Sequence, residues 1–90
     1  MRITIIGFGY IGAVIGAVFS NLGHKVTAVD SNISCINELN LGVCNVPEPF
    51  LRELIHKGVS DGNLVGSTEY ESVSDCDVVL VTVGTPLSEN

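Results

Sequence analysis

A glycine-rich hexapeptide near the start of the chain has a spacing that can bind a pyrophosphate. Gly7, Gly9 and Gly12 form the pattern G-x-G-x-x-G between a predicted strand and a predicted helix. The first glycine permits a tight turn, the second lets a phosphate approach the backbone, and the third lets the helix pack closely on the strand. The backbone N–H groups of Tyr10 and Ile11 would then bind the pyrophosphate at the positive end of the helix. A glycine-rich turn also serves tight packing without a ligand, so this motif alone is weak evidence.

An acid at the end of the second predicted strand makes dinucleotide binding a more specific hypothesis. Asp30 follows the glycine motif at about the 20-residue distance at which a carboxylate binds the adenosine ribose, and Ser31 lies beside it. Its charge would repel the 2′-phosphate of NADP, and residues 31–34 contain no arginine to neutralise that phosphate, so NAD is the predicted cofactor. The alternative is that Asp30 only caps a helix or ends a strand in solvent.

A third candidate group follows the last predicted strand. The backbone of Val83 and Gly84 could line the nicotinamide-side ribose, and the Thr85 hydroxyl could donate or accept a hydrogen bond there. An ordinary strand-ending turn explains the same residues equally well.

Alternating strands and helices are expected to position these groups. Hydrophobic periodicity and turn residues predict strands over 3–6, 25–30, 64–67 and 78–83, and helices over 11–22, 33–39, 49–58 and 69–74. With right-handed crossovers, this order gives an α/β fold: a Rossmann-type parallel sheet with helices on both faces, as in the N-terminal half of a dinucleotide-binding fold. The continuous β-branched run of the last strand predicts burial on both of its faces. All candidate residues fall at the carboxyl ends of strands, where such sheets form their ligand crevice.

The length, composition and net charge of the chain exclude several classes of protein. Ninety residues that are 46% hydrophobic and 16% charged predict one folded domain spanning residues 1–90. The net charge of −6 argues against nucleic-acid binding and against attachment to anionic membranes. The uncharged stretch 3–24 could pass for a signal peptide or a membrane span, but its glycines divide it into strand, turn and helix.

The cysteines and histidines are expected to be inert. Cys35, Cys44 and Cys76 are odd in number and include no Cys-x-x-Cys pair, which predicts neither a disulfide framework nor a metal site and fits reduced thiols in the cytoplasm. His24 and His56 each lie beside a lysine near the end of an element, which is typical of a solvated surface rather than a catalytic base.

From end to end, the chain resembles the N-terminal NAD-binding domain of the UDP-glucose/GDP-mannose 6-dehydrogenase family, the nucleotide-sugar dehydrogenases. The resemblance is carried by four stretches: Ile3 to Gly12, Leu22 to Val26 continuing to Asp30, Glu48-Pro49, and Val83-Gly84-Thr85-Pro86. Three positions depart from the family pattern: Cys35 stands where a lysine is common, Pro47 where an aromatic residue is common, and Phe50 where a glycine is common.

The resemblance implies a function for the intact protein. Tyr10 and Ile11 would present amides to the pyrophosphate, Asp30 would bind the adenine ribose, and Thr85 would lie beside NAD. Family members oxidise the C6 alcohol of a UDP- or GDP-sugar to a carboxylate in two hydride transfers to NAD, with a cysteine nucleophile that no cysteine of this chain matches. The chain is therefore expected to bind NAD without catalysing a reaction. A nucleotide-sugar substrate would be bound only with the missing C-terminal part, and the intact protein could form a homodimer.

Two other readings compete with this one. A stand-alone regulatory module could use the same motif to sense NAD or an adenine nucleotide and signal to a partner. A purely structural α/β domain could retain the motif without a ligand, in which case a titration with NAD would be flat although the protein unfolds cooperatively.

Overall fold

The computed structural model describes residues 1–43 and 48–82, which form four strands, three α-helices and one short 3₁₀ helix. In chain order these are β1 (Arg2–Ile6), α1 (Tyr10–Asn21), β2 (Lys25–Val29), α2 (Ile33–Asn40), α3 (Pro49–Ser60), β3 (Leu64–Ser67), the 3₁₀ helix (Glu71–Asp75) and β4 (Val78–Val81). The predicted order of strands and helices is confirmed for these residues.

The strands form one parallel sheet in the order β3-β2-β1-β4. In its register Ile3 lies between Val26 and Val78, and Val26 in turn pairs with Leu64. Right-handed crossovers place α1, α2 and α3 over one face of this sheet and the connection from β3 to β4 over the other. The predicted α/β Rossmann-type fold is therefore confirmed, with the 3₁₀ helix as the helical element of the second face.

The hydrophobic core lies between the sheet and the three α-helices. Alternating residues of the strands point to that side and are buried, namely Ile3, Ile5, Val26, Ala28 and Leu64. Ile36 and Leu39 of α2 and Leu51 and Ile55 of α3 cover them. Burial at every second strand position and every third or fourth helix position is the periodicity that indicated these elements in the sequence.

The first helix ends where its sequence predicts. Leu22 caps α1, and Gly23 then adopts a left-handed backbone with φ of +98°, which a residue with a side chain rarely adopts. Within the described residues, no helix is long and apolar enough to cross a membrane.

The prediction that the last strand is buried on both faces is wrong for the described residues. Val78 and Leu80 are partly buried on the helix side, whereas Val79 and Val81 on the other face are 40% and 67% exposed. The reason is its place in the sheet: β4 lies at the edge beside β1, and within residues 1–43 and 48–82 no α-helix covers its second face.

The third helix is longer than predicted. It begins with Pro49 at its first turn, as expected, but passes through Gly58 and ends at Ser60, before Gly62 with φ of +77°. Gly58 is buried because α1 lies against it, and a Cβ there would collide with the Ser20 hydroxyl. This glycine therefore serves close helix packing instead of helix termination.

The short helix predicted over 69–74 from a Thr68-x-x-Glu71 capping pattern is the 3₁₀ helix Glu71–Asp75, so its type and bounds differ. The turn before it is stabilised one residue earlier than predicted, since the Ser67 hydroxyl accepts a hydrogen bond from the Glu69 N–H at 3.0 Å.

Candidate functional site

The carboxyl ends of β1, β2 and β4 surround a cleft of about 310 Å³. Its lining residues come from the strand ends, the glycine turn and the connection before β4: Ile6, Gly7, Phe8, Gly9, Val29, Asp30, Ser31, Tyr70 and Thr82. This is the edge at which open parallel sheets bind ligands. The volume is at the low end for ligand pockets, enough for part of a dinucleotide.

The first glycine turns the chain from β1 toward α1. Gly7 has φ of +91°, the left-handed conformation expected of the first glycine in the motif. Its N–H donates to the Val29 carbonyl at 2.7 Å, and its carbonyl accepts from the Thr82 hydroxyl at 2.5 Å. The turn is thus held by the strands on both sides of β1.

Asp30 holds the same turn from the end of β2. One carboxylate oxygen accepts from the Phe8 N–H at 2.8 Å, and the other accepts from the Asn32 N–H at 2.9 Å. Each carboxylate oxygen can accept more than one hydrogen bond, so Asp30, which lines the cleft, can still accept hydrogen bonds from a ligand. The cap of α2 is supplied by Asn32, whose side chain accepts from the Cys35 N–H at 3.1 Å.

The N-terminal end of α1 carries partial positive charge and lies beside this cleft, since its N-cap residue Gly9 is one of the lining residues. The first backbone bond of the helix runs from the Ala13 N–H to the Gly9 carbonyl at 2.9 Å, which leaves the preceding N–H groups of Tyr10, Ile11 and Gly12 without helical acceptors. The first turn contains no acid that would compete for them. Such a helix end favours an anion.

The second and third glycines of the motif have different surroundings. A Cβ built on Gly9 meets nothing within 4 Å, because that side of the residue faces open space. A Cβ built on Gly12 would collide with the Gly7 carbonyl oxygen and lie 2.8 Å from the Thr82 hydroxyl. Gly12 is therefore required for packing of α1 on the β1 turn, whereas the protein's own packing makes no such demand on Gly9.

A family model for the NAD-binding domain of the UDP-glucose/GDP-mannose dehydrogenase family matches residues 1–90. The chain belongs to this family. NAD is accordingly the cofactor of this domain.

Similar proteins of this family are much longer than the chain. It is 41% identical to the UDP-glucose 6-dehydrogenase YwqF of Bacillus subtilis, over 96% of the chain and 20% of that protein. It is 42% identical to a GDP-mannose 6-dehydrogenase of Pseudomonas syringae pv. syringae, over 100% of the chain and 21% of that protein. A crystal structure of a ternary complex of GDP-mannose dehydrogenase from Pseudomonas aeruginosa superposes with a TM-score of 0.93 at 41% identity, again over 100% of the chain and 21% of the other. The chain thus spans about a fifth of the relatives it matches.

Most site residues predicted from the sequence meet at one place in the NAD-binding domain. Gly7, Gly9, Asp30 and Ser31 line the cleft. Tyr10 and Ile11 form the first turn of α1, and Gly12 packs beneath it. The remaining predicted residues, Val83, Gly84 and Thr85, lie outside the described residues.

Five cleft-lining residues were missed by sequence reasoning: Ile6 and Val29, which end β1 and β2, and Phe8, Tyr70 and Thr82. Phe8 is buried, so that this variable position of the motif anchors the glycine turn in the core beside Gly16. Thr82 follows β4 and contacts Gly7; it lies inside the strand predicted over 78–83, next to the predicted site residue Val83, and that position was a signal that could have indicated it. Tyr70 reaches the cleft from the connection between β3 and β4, and no local pattern marks it.

Of the two cysteines that the structure describes, Cys35 is nearer the cleft and has the properties of an inert group. Burial, followed by the negative charges of Asp30 and Glu38, raises the pKa of Cys35, so its thiol stays protonated. The thiol donates a hydrogen bond to the Phe8 carbonyl, with the sulfur 3.7 Å from the oxygen. A raised thiol pKa lowers nucleophilicity. Cys76 lies near Val73 in the 3₁₀ connection, and Cys44 is outside the described residues.

The histidines lie away from the cleft. His24 precedes β2 at the opposite edge of the sheet, with its ring edge-on to Phe19 at 5.9 Å, and His56 is exposed on α3. Among the described residues, no group of histidine, cysteine and acidic side chains could hold a metal ion.

Proposed function

We propose that residues 1–90 are the adenosine- and pyrophosphate-binding part of a nucleotide-sugar 6-dehydrogenase, which oxidises the C6 alcohol of a UDP- or GDP-sugar to a carboxylate with two NAD. The observation that supports the site assignment is the closeness of three features: Gly9, whose open side lines the cleft, the Asp30 carboxylate, which also lines it, and the first turn of α1, which begins directly after Gly9 and has N–H groups without helical acceptors. The relatives named UDP-glucose and GDP-mannose 6-dehydrogenase support the substrate class.

In this proposal the chain binds and orients the cofactor. NAD supplies the hydride acceptor for the oxidation. Gly9 leaves room for the pyrophosphate, and the N–H groups of Tyr10 and Ile11 bind its oxygens. Asp30 accepts hydrogen bonds from the adenine ribose, with Ser31 at the rim, and Val83, Gly84 and Thr85 approach the nicotinamide side. No residue of the chain is assigned a catalytic role, and the sugar nucleotide is bound by other parts of the protein.

Replacing Asp30 by Ala should weaken NAD binding by about 1–3 kcal/mol, the cost of leaving a ribose hydroxyl without its acceptor. Asp30 also accepts hydrogen bonds from the Phe8 and Asn32 N–H groups, so a loss of affinity alone does not distinguish ribose binding from support of the glycine turn. Titration calorimetry with NAD and with an analogue lacking the adenosine 2′-hydroxyl distinguishes these two roles. The wild type should lose affinity for the analogue, whereas the Asp30→Ala variant should bind both ligands equally. Asp75→Ala, at the opposite edge of the sheet, is the matched control. A wild type that binds both ligands equally contradicts the ribose role.

NADP should bind at least about tenfold more weakly than NAD, because its 2′-phosphate would lie against the Asp30 carboxylate. The described cleft lining contains no lysine or arginine that would neutralise that phosphate. Competition between the two dinucleotides at low ionic strength measures the preference. Since salt screens charge repulsion, the preference should shrink as salt is added. Equal affinities at low salt would show that Asp30 does not face the 2′ position.

The proposed reaction is tested by adding UDP-glucose or GDP-mannose and NAD to the protein that carries this domain. We expect two NADH to form for each sugar nucleotide consumed, with a uronic acid as product. The alternative of a sensing module without catalysis predicts NAD binding without NADH formation for any sugar nucleotide. The family match does not favour that alternative.

A further inference from the structure

A hydrogen bond outside the cleft joins the start of α1 to the start of α3. The Tyr10 hydroxyl donates to a Glu48 carboxylate oxygen at 2.8 Å. Tyr10 is the first residue of α1, and Glu48 is the residue that immediately precedes α3. Glu48 makes no capping bond with its own helix, so its side chain is committed to the other one.

The opposite ends of the two helices are joined by packing. The Asn21 amide donates to the Leu54 carbonyl at 2.8 Å, and Gly58 lies directly against Ser20. The N-terminal end of α1 is held on its inner side by Gly12, which packs against the Gly7 carbonyl, but the side chains of Tyr10 and Ile11 on its outer side are 51% and 64% exposed. The Tyr10–Glu48 hydrogen bond therefore restrains the outer side of this first turn, which packing does not hold.

We infer that Glu48 is a positioning residue for NAD: by holding Tyr10, it keeps the first turn of α1 oriented so that the Tyr10 and Ile11 N–H groups point into the cleft. This inference rests on the proposed pyrophosphate site. A hydrogen bond to a carboxylate is stronger than one between neutral groups. Restraining a binding turn before the ligand arrives improves affinity, because the ligand does not have to order it.

The Tyr10 hydroxyl provides a spectroscopic readout of this contact. The hydrogen bond to Glu48, followed by desolvation and the negative charge of Glu48, raises the pKa of Tyr10 above its ordinary value of 10.0. The protonated phenol is thus the form that folding favours. The contribution of this bond is complete at pH values below that ordinary pKa and is lost as the pH rises through the raised pKa.

The test compares the NAD affinities of four single variants and one double variant in the protein that carries this domain. Tyr10→Phe and Glu48→Ala should each weaken binding by about three- to tenfold, as expected for loss of one hydrogen bond, and the double variant should be no weaker than either. Glu48→Gln should retain most of the affinity, because its amide oxygen still accepts from Tyr10. Glu53→Ala, which removes an exposed carboxylate within α3, should bind NAD like the wild type.

A tyrosinate absorbance titration, taken as the difference between a protein and its Tyr10→Phe counterpart, checks the contact itself. Glu48→Ala should lower the pKa of Tyr10, and Glu53→Ala should not. The inference is overturned if Tyr10→Phe and Glu48→Ala bind NAD as tightly as the wild type, or if their losses of affinity add in the double variant. The proposed function stands in either case if Gly9→Val still weakens NAD binding strongly. A wild type that does not bind NAD overturns both.

Discussion

A Gly9→Val variant should bind NAD at least about 100-fold more weakly than the wild type while folding normally. The branched side chain would occupy the space beside the first turn of α1 and keep the pyrophosphate from two N–H groups. Hydrogen bonds to a charged group are worth about 1.5–3 kcal/mol each, so losing two accounts for that factor. Titration calorimetry measures the affinity.

The fold should tolerate this change because nothing lies within 4 Å of the added Cβ and the backbone of Gly9 is extended, with φ of −84°. The melting temperature should fall only slightly, since valine is a poor residue at a helix N-cap. Gly9→Ala, with one methyl group, should lie between the wild type and Gly9→Val in affinity. If Gly9→Val binds NAD as the wild type does, the phosphate does not approach this turn.

Gly12→Ala should have the converse effect: a large loss of stability. The new methyl group would collide with the Gly7 carbonyl oxygen, a backbone atom that is itself held by Thr82, so α1 must move away from the sheet. Overpacking typically lowers the free energy of unfolding by about 1–3 kcal/mol, whereas the higher helix propensity of alanine raises it by about 1 kcal/mol. Because the obstructing atom is backbone, we expect a net loss of about 2 kcal/mol in the free energy of unfolding, measured by urea denaturation.

Gly16→Ala, one turn further along α1, is the matched control. Its Cβ would meet only side-chain atoms, the nearest being a Phe8 ring carbon at 3.3 Å, which can shift by a few tenths of an ångström. We expect its stability to lie within about 1 kcal/mol of the wild type, since the gain in helix propensity offsets the tighter packing. Equal stability of the Gly12→Ala and Gly16→Ala variants would contradict the packing role of Gly12.

Local sequence patterns were sufficient to locate the first half of the site. The β-branched run before Gly7, the glycine spacing and the periodicity of α1 each depend on neighbouring residues, and the structure confirms the strand, turn and helix they indicate. The meeting of Asp30 with the glycine turn followed from topology alone, because parallel neighbouring strands end at the same edge.

Features that depend on distant partners were not predictable in this way. Gly58 is a residue type that often ends a helix, but it is buried against Ser20, 38 residues earlier in the chain. Only the packing of α3 on α1 therefore explains why a glycine stands inside this helix. The Tyr10–Glu48 hydrogen bond likewise joins residues far apart in sequence. The exposure of Val79 and Val81 depends on which elements cover each face of β4, and the apolar sequence of the strand itself does not indicate this.

A crystal structure of the protein with NAD tests most directly whether NAD binds at the carboxyl edge of the sheet through the first turn of α1 and Asp30. We expect the pyrophosphate to lie against the N–H groups of Tyr10 and Ile11, and the adenine ribose hydroxyls to lie within hydrogen-bonding distance of the Asp30 carboxylate. NAD bound instead at the opposite edge, in the 210 Å³ cavity beside Arg2 and Lys25, or bound without contacting the first turn of α1, would contradict this expectation.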